Sequence, residues 1–90
     1  MFQKSAPTRA VTVYGRPGCP LCAEAVALVR RWAPALRYRV EEVDIESDPL
    51  LLARYDAIVP VIVVGDVEAG RAPIAPAALR ARLEALLGPC

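Results

Sequence analysis

The sequence predicts a single α/β domain with its elements in the order β, α, β, short α, β, β, α. Three observations predict it. A chain of 90 residues, 56% of them hydrophobic, has the length of one domain and ample apolar surface for one core. Runs of β-branched residues bounded by glycine and proline alternate with segments whose apolar residues recur at helical spacing. Between the last two β runs only Gly65 and Asp66 intervene, which fits a tight hairpin turn.

Each element has its own local reason. Residues 1–9 read as a flexible lead-in and residues 10–88 as the domain. Ala10 to Tyr14, AVTVY, is a short buried strand that ends at the Gly15 to Gly18 stretch. From Pro20 onward Cys22, Val26, Val29 and Ala33 mark one helical face, and Pro34 predicts a stop near Ala33. Leu36 to Ile45 alternates as a strand, except that Glu41 and Glu42 break the phase, so a bulge or a late start is expected. Ser47 or Asp48 offers an N-cap with Pro49 at the first helical position, for a short helix to about Tyr55. Val61 to Val64, the Gly65 and Asp66 turn, and Val67 to Gly70 form an antiparallel hairpin. Leu79, Leu83, Leu86 and Leu87 define a last helix from near Pro76, which Gly88 and Pro89 terminate. Trp32 and Tyr38 read as core or rim packing, and RAPIAPAAL as a loop and helix start.

Charge excludes several classes of function. Eleven basic and ten acidic side chains nearly cancel, and neither sign forms a block, so no nucleic-acid or anionic-lipid footprint is expected. MFQKSAPTRA lacks the apolar stretch of a signal peptide, and the longest apolar run, Ile58 to Val64, is far too short to span a bilayer. A soluble, cytoplasmic chain is the expectation. In that reducing setting three cysteines do not make a disulfide framework, and a close pair points to catalysis, redox sensing or metal binding.

Cys19 and Cys22 form that pair, where the first strand gives way to the first helix. With Cys19 as N-cap, Pro20 falls at a position whose missing N–H has no intrahelical acceptor to lose. The Cys19 sulfur then faces free amides at the positive end of the helix dipole, which favours the thiolate. Cys19 is the candidate nucleophile, and Cys22, one turn on, the resolving thiol. Arg16 offers positive charge nearby. Two other readings stay open: buried packing by both cysteines, or a zinc or iron–sulfur site. With no histidine and only Cys90 besides, the metal route requires a site shared across a dimer. Glu24 reads as a solvated acid of the first turns, and Cys90 as a frayed terminal thiol.

TVYGRPGCPLC (Thr12 to Cys22) and IVPVIVVGD (Ile58 to Asp66) resemble the active-site turn and the cis-proline segment of glutaredoxin-like proteins of the thioredoxin fold. The resemblance covers Val11 to Leu87. It implies a four-stranded mixed sheet flanked by helices and a thiol–disulfide oxidoreductase. It also implies a cis Pro60 against the cysteine pair, with the Val59 backbone free to bond an extended thiol substrate. Arg16, Pro20, Leu21, Val59 and Pro60 are the candidate substrate-binding residues. No metal or organic cofactor is required, and glutathione is a possible co-substrate. The implied partners are a disulfide-containing protein or a glutathione mixed disulfide, with glutathione or a thioredoxin reductase as reductant, and the chain itself is expected to be a monomer. The chain departs from the family pattern at four positions. Leu21 replaces an aromatic residue, Ile58 replaces a threonine, and Gly70 with Arg71 stands where a Gly-Gly and acidic pair would grip glutathione. Dithiol exchange needs only Cys19, Cys22 and a docking backbone. A redox-silent binding module of the same fold is the competing function.

Overall fold

The structure is a computed structural model and describes residues 9–88. Residues 1–8 of the expected lead-in, and Cys90, lie outside the described residues. The elements are β1 (Ala10–Gly15), α1 (Pro20–Leu36), β2 (Arg39–Asp44), a 3-10 turn (Ile45–Ser47), α2 (Pro49–Tyr55), β3 (Val61–Val64), β4 (Val67–Arg71) and α3 (Pro76–Leu87). The strands form one sheet in the order β2-β1-β3-β4, with β1 parallel to β2 and antiparallel to β3, and β3 antiparallel to β4. This is the mixed four-stranded sheet that the resemblance implies.

Strand alternation decides which helix covers which face. On one face Val11, Val13 and Ile62 pack with Ala25, Val29 and Trp32 of α1 and with Leu79 and Leu83 of α3. On the other face Val61 and Val63 pack with Ile45 and Tyr55, against which Tyr14, Leu51 and Ile58 lie. β3 is therefore apolar at every position because both of its faces are covered. Two short caps hold α2 and the turn before it. Asp44 accepts the N–H of Glu46 at 2.8 Å, and Asp48 accepts that of Leu50 at 2.9 Å.

Several boundaries differ from the sequence expectation, each for a physical reason. α1 does not stop at Ala33 but runs through Pro34 to Leu36, so Leu36 is helical rather than the start of a strand. Its end is tied down by Arg37, left-handed at φ 59°, whose N–H bonds the Ala33 carbonyl at 2.7 Å. The guanidinium of Arg9 adds bonds to the carbonyls of Leu36 at 2.7 Å and Arg37 at 2.9 Å, and reaches that of Leu87 at 2.8 Å. Arg9 is thus an anchored residue and not part of a loose lead-in. β2 starts late, at Arg39, and pairs with β1 without a bulge. Glu41 and Glu42 are accommodated because β2 is an edge strand, with Glu41 ion-paired to Arg39 and Glu42 to Arg30 of α1. The register shift lies instead in the hairpin, where Ile62 pairs with Gly70 and Val63 with Glu68, leaving Ala69 as the extra residue.

Candidate dithiol active site

β1 delivers the chain to the site, and a glycine-dependent turn redirects it. After Gly15 the chain turns through Gly18, at φ +75°, into Cys19, which is extended at φ −99° and ψ 107° and caps α1. Pro20 follows at the first helical position, and the first intrahelical bond runs from the Ala23 N–H to the Cys19 carbonyl at 3.1 Å. The Cys19 Sγ accepts the N–H of Cys22 at 3.1 Å, so the thiol sits among the amides that have no helical acceptor. Its Cα lies 5.2 Å from that of Cys22, and the two sulfurs are at disulfide distance. Cys19 is half-buried, whereas Cys22 is only 6% exposed. The pair is therefore asymmetric: one sulfur is within reach of a substrate and the other is shielded behind it.

Gly15 makes this shielding possible, and sequence reasoning treated it only as a strand boundary. A Cβ there would stand 3.0 Å from the Cys22 Cβ and 3.1 Å from its Sγ, both tighter than ordinary contact. The missing side chain is the space that Cys22 occupies. The signal available in the sequence was a glycine ending a β-branched strand four residues before the first cysteine.

The candidate substrate residues fall into separate groups. Cys19, Cys22, Gly15 and Arg16 share a cavity of about 470 Å³ that reaches Glu42 and Asp44. The Arg16 guanidinium does not bond the sulfur; it bonds the carboxylate of Asp56 and, at 2.9 Å, its carbonyl. Leu21 and Pro60 meet in a second cavity, of about 180 Å³, on the other side of α1. Leu28, Pro73 and Ile74 complete its apolar lining, and Glu24 stands on its rim. Of the RAPIAPAAL stretch, Arg71 ends β4 and the rest is a loop and helix start, as expected, which also supplies one wall of this cavity. The Val59–Pro60 bond is cis, as is Ala72–Pro73. Pro60 is fully buried and faces the cavity of Leu21, not the one that Cys19 and Cys22 line. Among the described residues the Val59 backbone makes no hydrogen bond, while the Pro60 carbonyl accepts the Ala72 N–H at 3.0 Å. Pro20 and Leu21 are exposed at the tip of the turn.

Among the described residues no group of three or more His, Cys, Asp and Glu side chains comes together as a metal would need. No helix among them is long and apolar enough to cross a membrane.

Three solved structures are similar to this chain in fold. Protein Ne2328 from Nitrosomonas europaea is 27% identical, with a TM-score of 0.71 over 88% of this chain and 95% of that one. The structural-genomics target protein XcR50 from X. campestris is 32% identical, with a TM-score of 0.69 over 88% and 99%. A glutaredoxin from Brucella melitensis is 29% identical, with a TM-score of 0.63 over 93% and 94%. No curated protein matches the chain. The family model described as Glutaredoxin-like domain (DUF836) matches residues 10–87. With its fold, its cysteine pair and that match over nearly its whole length, the chain belongs to the glutaredoxin-like domain family.

Proposed function

We propose that the chain is a dithiol–disulfide oxidoreductase that works through Cys19 and Cys22. The observation that carries this reading is the Cys19 sulfur at the N-cap of α1, accepting a backbone N–H, with the buried Cys22 sulfur at disulfide distance. A hydrogen-bonded thiolate at a helix N-terminus is stabilised relative to the thiol and remains a nucleophile. The Cys19 thiolate attacks one sulfur of a substrate disulfide, and the S–S bond breaks to release the first substrate thiolate. Cys22 loses its proton to water and attacks the Cys19 sulfur of the mixed disulfide, releasing the second thiolate. The chain has then given two electrons to the substrate and is left oxidised as a Cys19–Cys22 disulfide, which two electrons from glutathione or a thioredoxin reductase return to the dithiol. No metal or organic cofactor takes part. The Val59 backbone docks the substrate, with Leu21, Pro20 and Pro60 beside it, and the protein acts as a cytoplasmic monomer in redox homeostasis.

The test is a redox titration of the purified protein across glutathione buffers, with alkylation and mass spectrometry reporting the state of Cys19 and Cys22. A two-electron transition between about −180 and −270 mV is expected. Absence of a Cys19–Cys22 disulfide across that range would overturn the assignment. Cys19→Ser abolishes disulfide reduction, and Cys22→Ser accumulates the mixed disulfide on Cys19.

A further inference from the structure

One cavity is lined by the dithiol and a smaller one by Leu21, Glu24, Ala25 and Leu28 of α1, and their charged groups are unbalanced. Arg16, Glu24, Glu42 and Asp44 are the charged residues that line them. Arg16 is paired with Asp56 and Glu42 with Arg30. The Nε of Arg16 is buried without a hydrogen-bond partner, and its Nη2 is committed to Asp56. Glu24 and Asp44 have no ionic partner among the described residues, so both unpaired charges beside the dithiol are negative. Glutathione presents two carboxylates at neutral pH and finds no unpaired cation here to receive them.

The smaller cavity asks for something else. Its lining is apolar, with Leu28, Pro60, Pro73 and Ile74 around a space of about 180 Å³, and Leu21 at its edge is 53% exposed. A cavity on the order of 150 Å³ with such a lining holds a benzene-sized group. Leu21, between the two cysteines in sequence, lines this cavity, so the cavity is the apolar recess offered to a side chain adjacent to a substrate's half-cystine. Glu24, exposed on its rim, supplies the complementary charge for a basic group further along the same segment.

We infer that the site selects an extended protein segment in which an apolar residue neighbours the half-cystine and a basic residue follows it, and that it discriminates against glutathione disulfide. The inference rests on the dithiol exchange proposed above and names its substrate class. The electron balance is unchanged: the chain's two thiols become one disulfide, the peptide disulfide becomes two thiols, and the two protons pass through water to the departing thiolates.

The experiment is a single-turnover measurement with the full chain, pre-reduced and freed of reductant. It is mixed with symmetric disulfides of the capped tripeptides Leu-Cys-Arg, Gly-Cys-Arg and Leu-Cys-Glu, with glutathione disulfide, and with uncharged hydroxyethyl disulfide. Acid quenching and alkylation follow formation of the Cys19–Cys22 bridge. Leu-Cys-Arg is expected to react about tenfold or more faster than Gly-Cys-Arg, from burial of the leucine. It should exceed Leu-Cys-Glu by about two- to fivefold, a ratio that shrinks with added salt. Glu24→Lys should invert the second ratio and speed the reaction of glutathione disulfide. The ratios are taken within each protein, so a general change of rate does not enter them. If hydroxyethyl disulfide oxidises the chain but the leucine ratio is near one, or Glu24→Lys leaves the charge ratio unmoved, the inference is overturned and dithiol exchange stands. If not even hydroxyethyl disulfide forms the bridge, dithiol exchange itself fails and the inference falls with it.

Discussion

Gly15 and Cys22 show how a single absent side chain can set the geometry of a close cysteine pair. Gly15 does not lie in the left-handed region, so its requirement is steric and not conformational. Gly15→Ala puts a methyl group against the Cβ of Cys22, which has no flexible end with which to yield. We expect this variant to lose about 1–3 kcal/mol of stability and to form less Cys19–Cys22 disulfide at a fixed glutathione ratio. An unchanged urea midpoint together with an unchanged bridged fraction would show that the contact is absorbed elsewhere. Tyr38 supplies a pH-dependent counterpart in the core. Its hydroxyl donates to the Val29 carbonyl, and burial raises its pKa from 10.0 to about 12. Because the folded value lies above the unfolded one, its contribution is complete below pH 10 and is lost as pH rises towards 12. Tyr38→Phe should cost about 0.5–1.5 kcal/mol at neutral pH and flatten that alkaline fall, as read from urea unfolding at a series of pH values.

At the scale of elements, α1 is the least predictable segment and the most instructive. Proline inside a helix removes one backbone bond and costs about 3 kcal/mol, so a sequence reading ends the helix before Pro34. The helix continues because its last carbonyls are satisfied from outside, by a guanidinium thirty or so positions earlier in the chain that also reaches the end of α3. Arg9 thereby joins the C-termini of the two helices that cover one face of the sheet. Its positive charge also lies at the favourable end of both helix dipoles. Arg9→Ala should destabilise the protein by about 1–3 kcal/mol in urea unfolding. Arg9→Lys should recover only part of this, because an ammonium lacks the planar fork that meets three carbonyls at once. Full recovery by lysine would reduce the role of Arg9 to its charge.

For the whole molecule, stability comes from two apolar clusters on opposite faces of the sheet, neither of which contains the cysteine pair. The disulfide closes a loop of very few residues, so on the chain-entropy account it adds about 2 kcal/mol and no more. Oxidised and reduced protein should therefore both fold cooperatively, with the oxidised form more resistant to urea by that margin. Unfolding on reduction would contradict this division between core and site. Such independence suits the proposed cycling between dithiol and disulfide, which would leave the scaffold undisturbed.

Much of the fold was legible because it rests on local chemistry. β-branched runs, the Gly65 turn, the Asp48 cap and the Pro20 start are rules that operate within a few residues, and the elements appear where those rules put them. Cys19 as an N-cap was legible for the same reason, since the cap, the proline and the partner thiol lie within one helical turn. What the sequence by itself determined is the order of the elements and a sulfur at a helix N-terminus. Only the tertiary structure decided that Arg9 holds two helix ends, that Gly15 makes room for Cys22, that Arg16 turns to Asp56, and that Leu21 and Pro60 share an apolar cavity rimmed by Glu24. Each of those depends on contact between segments distant in sequence, and no local pattern records which distant partner a side chain will meet.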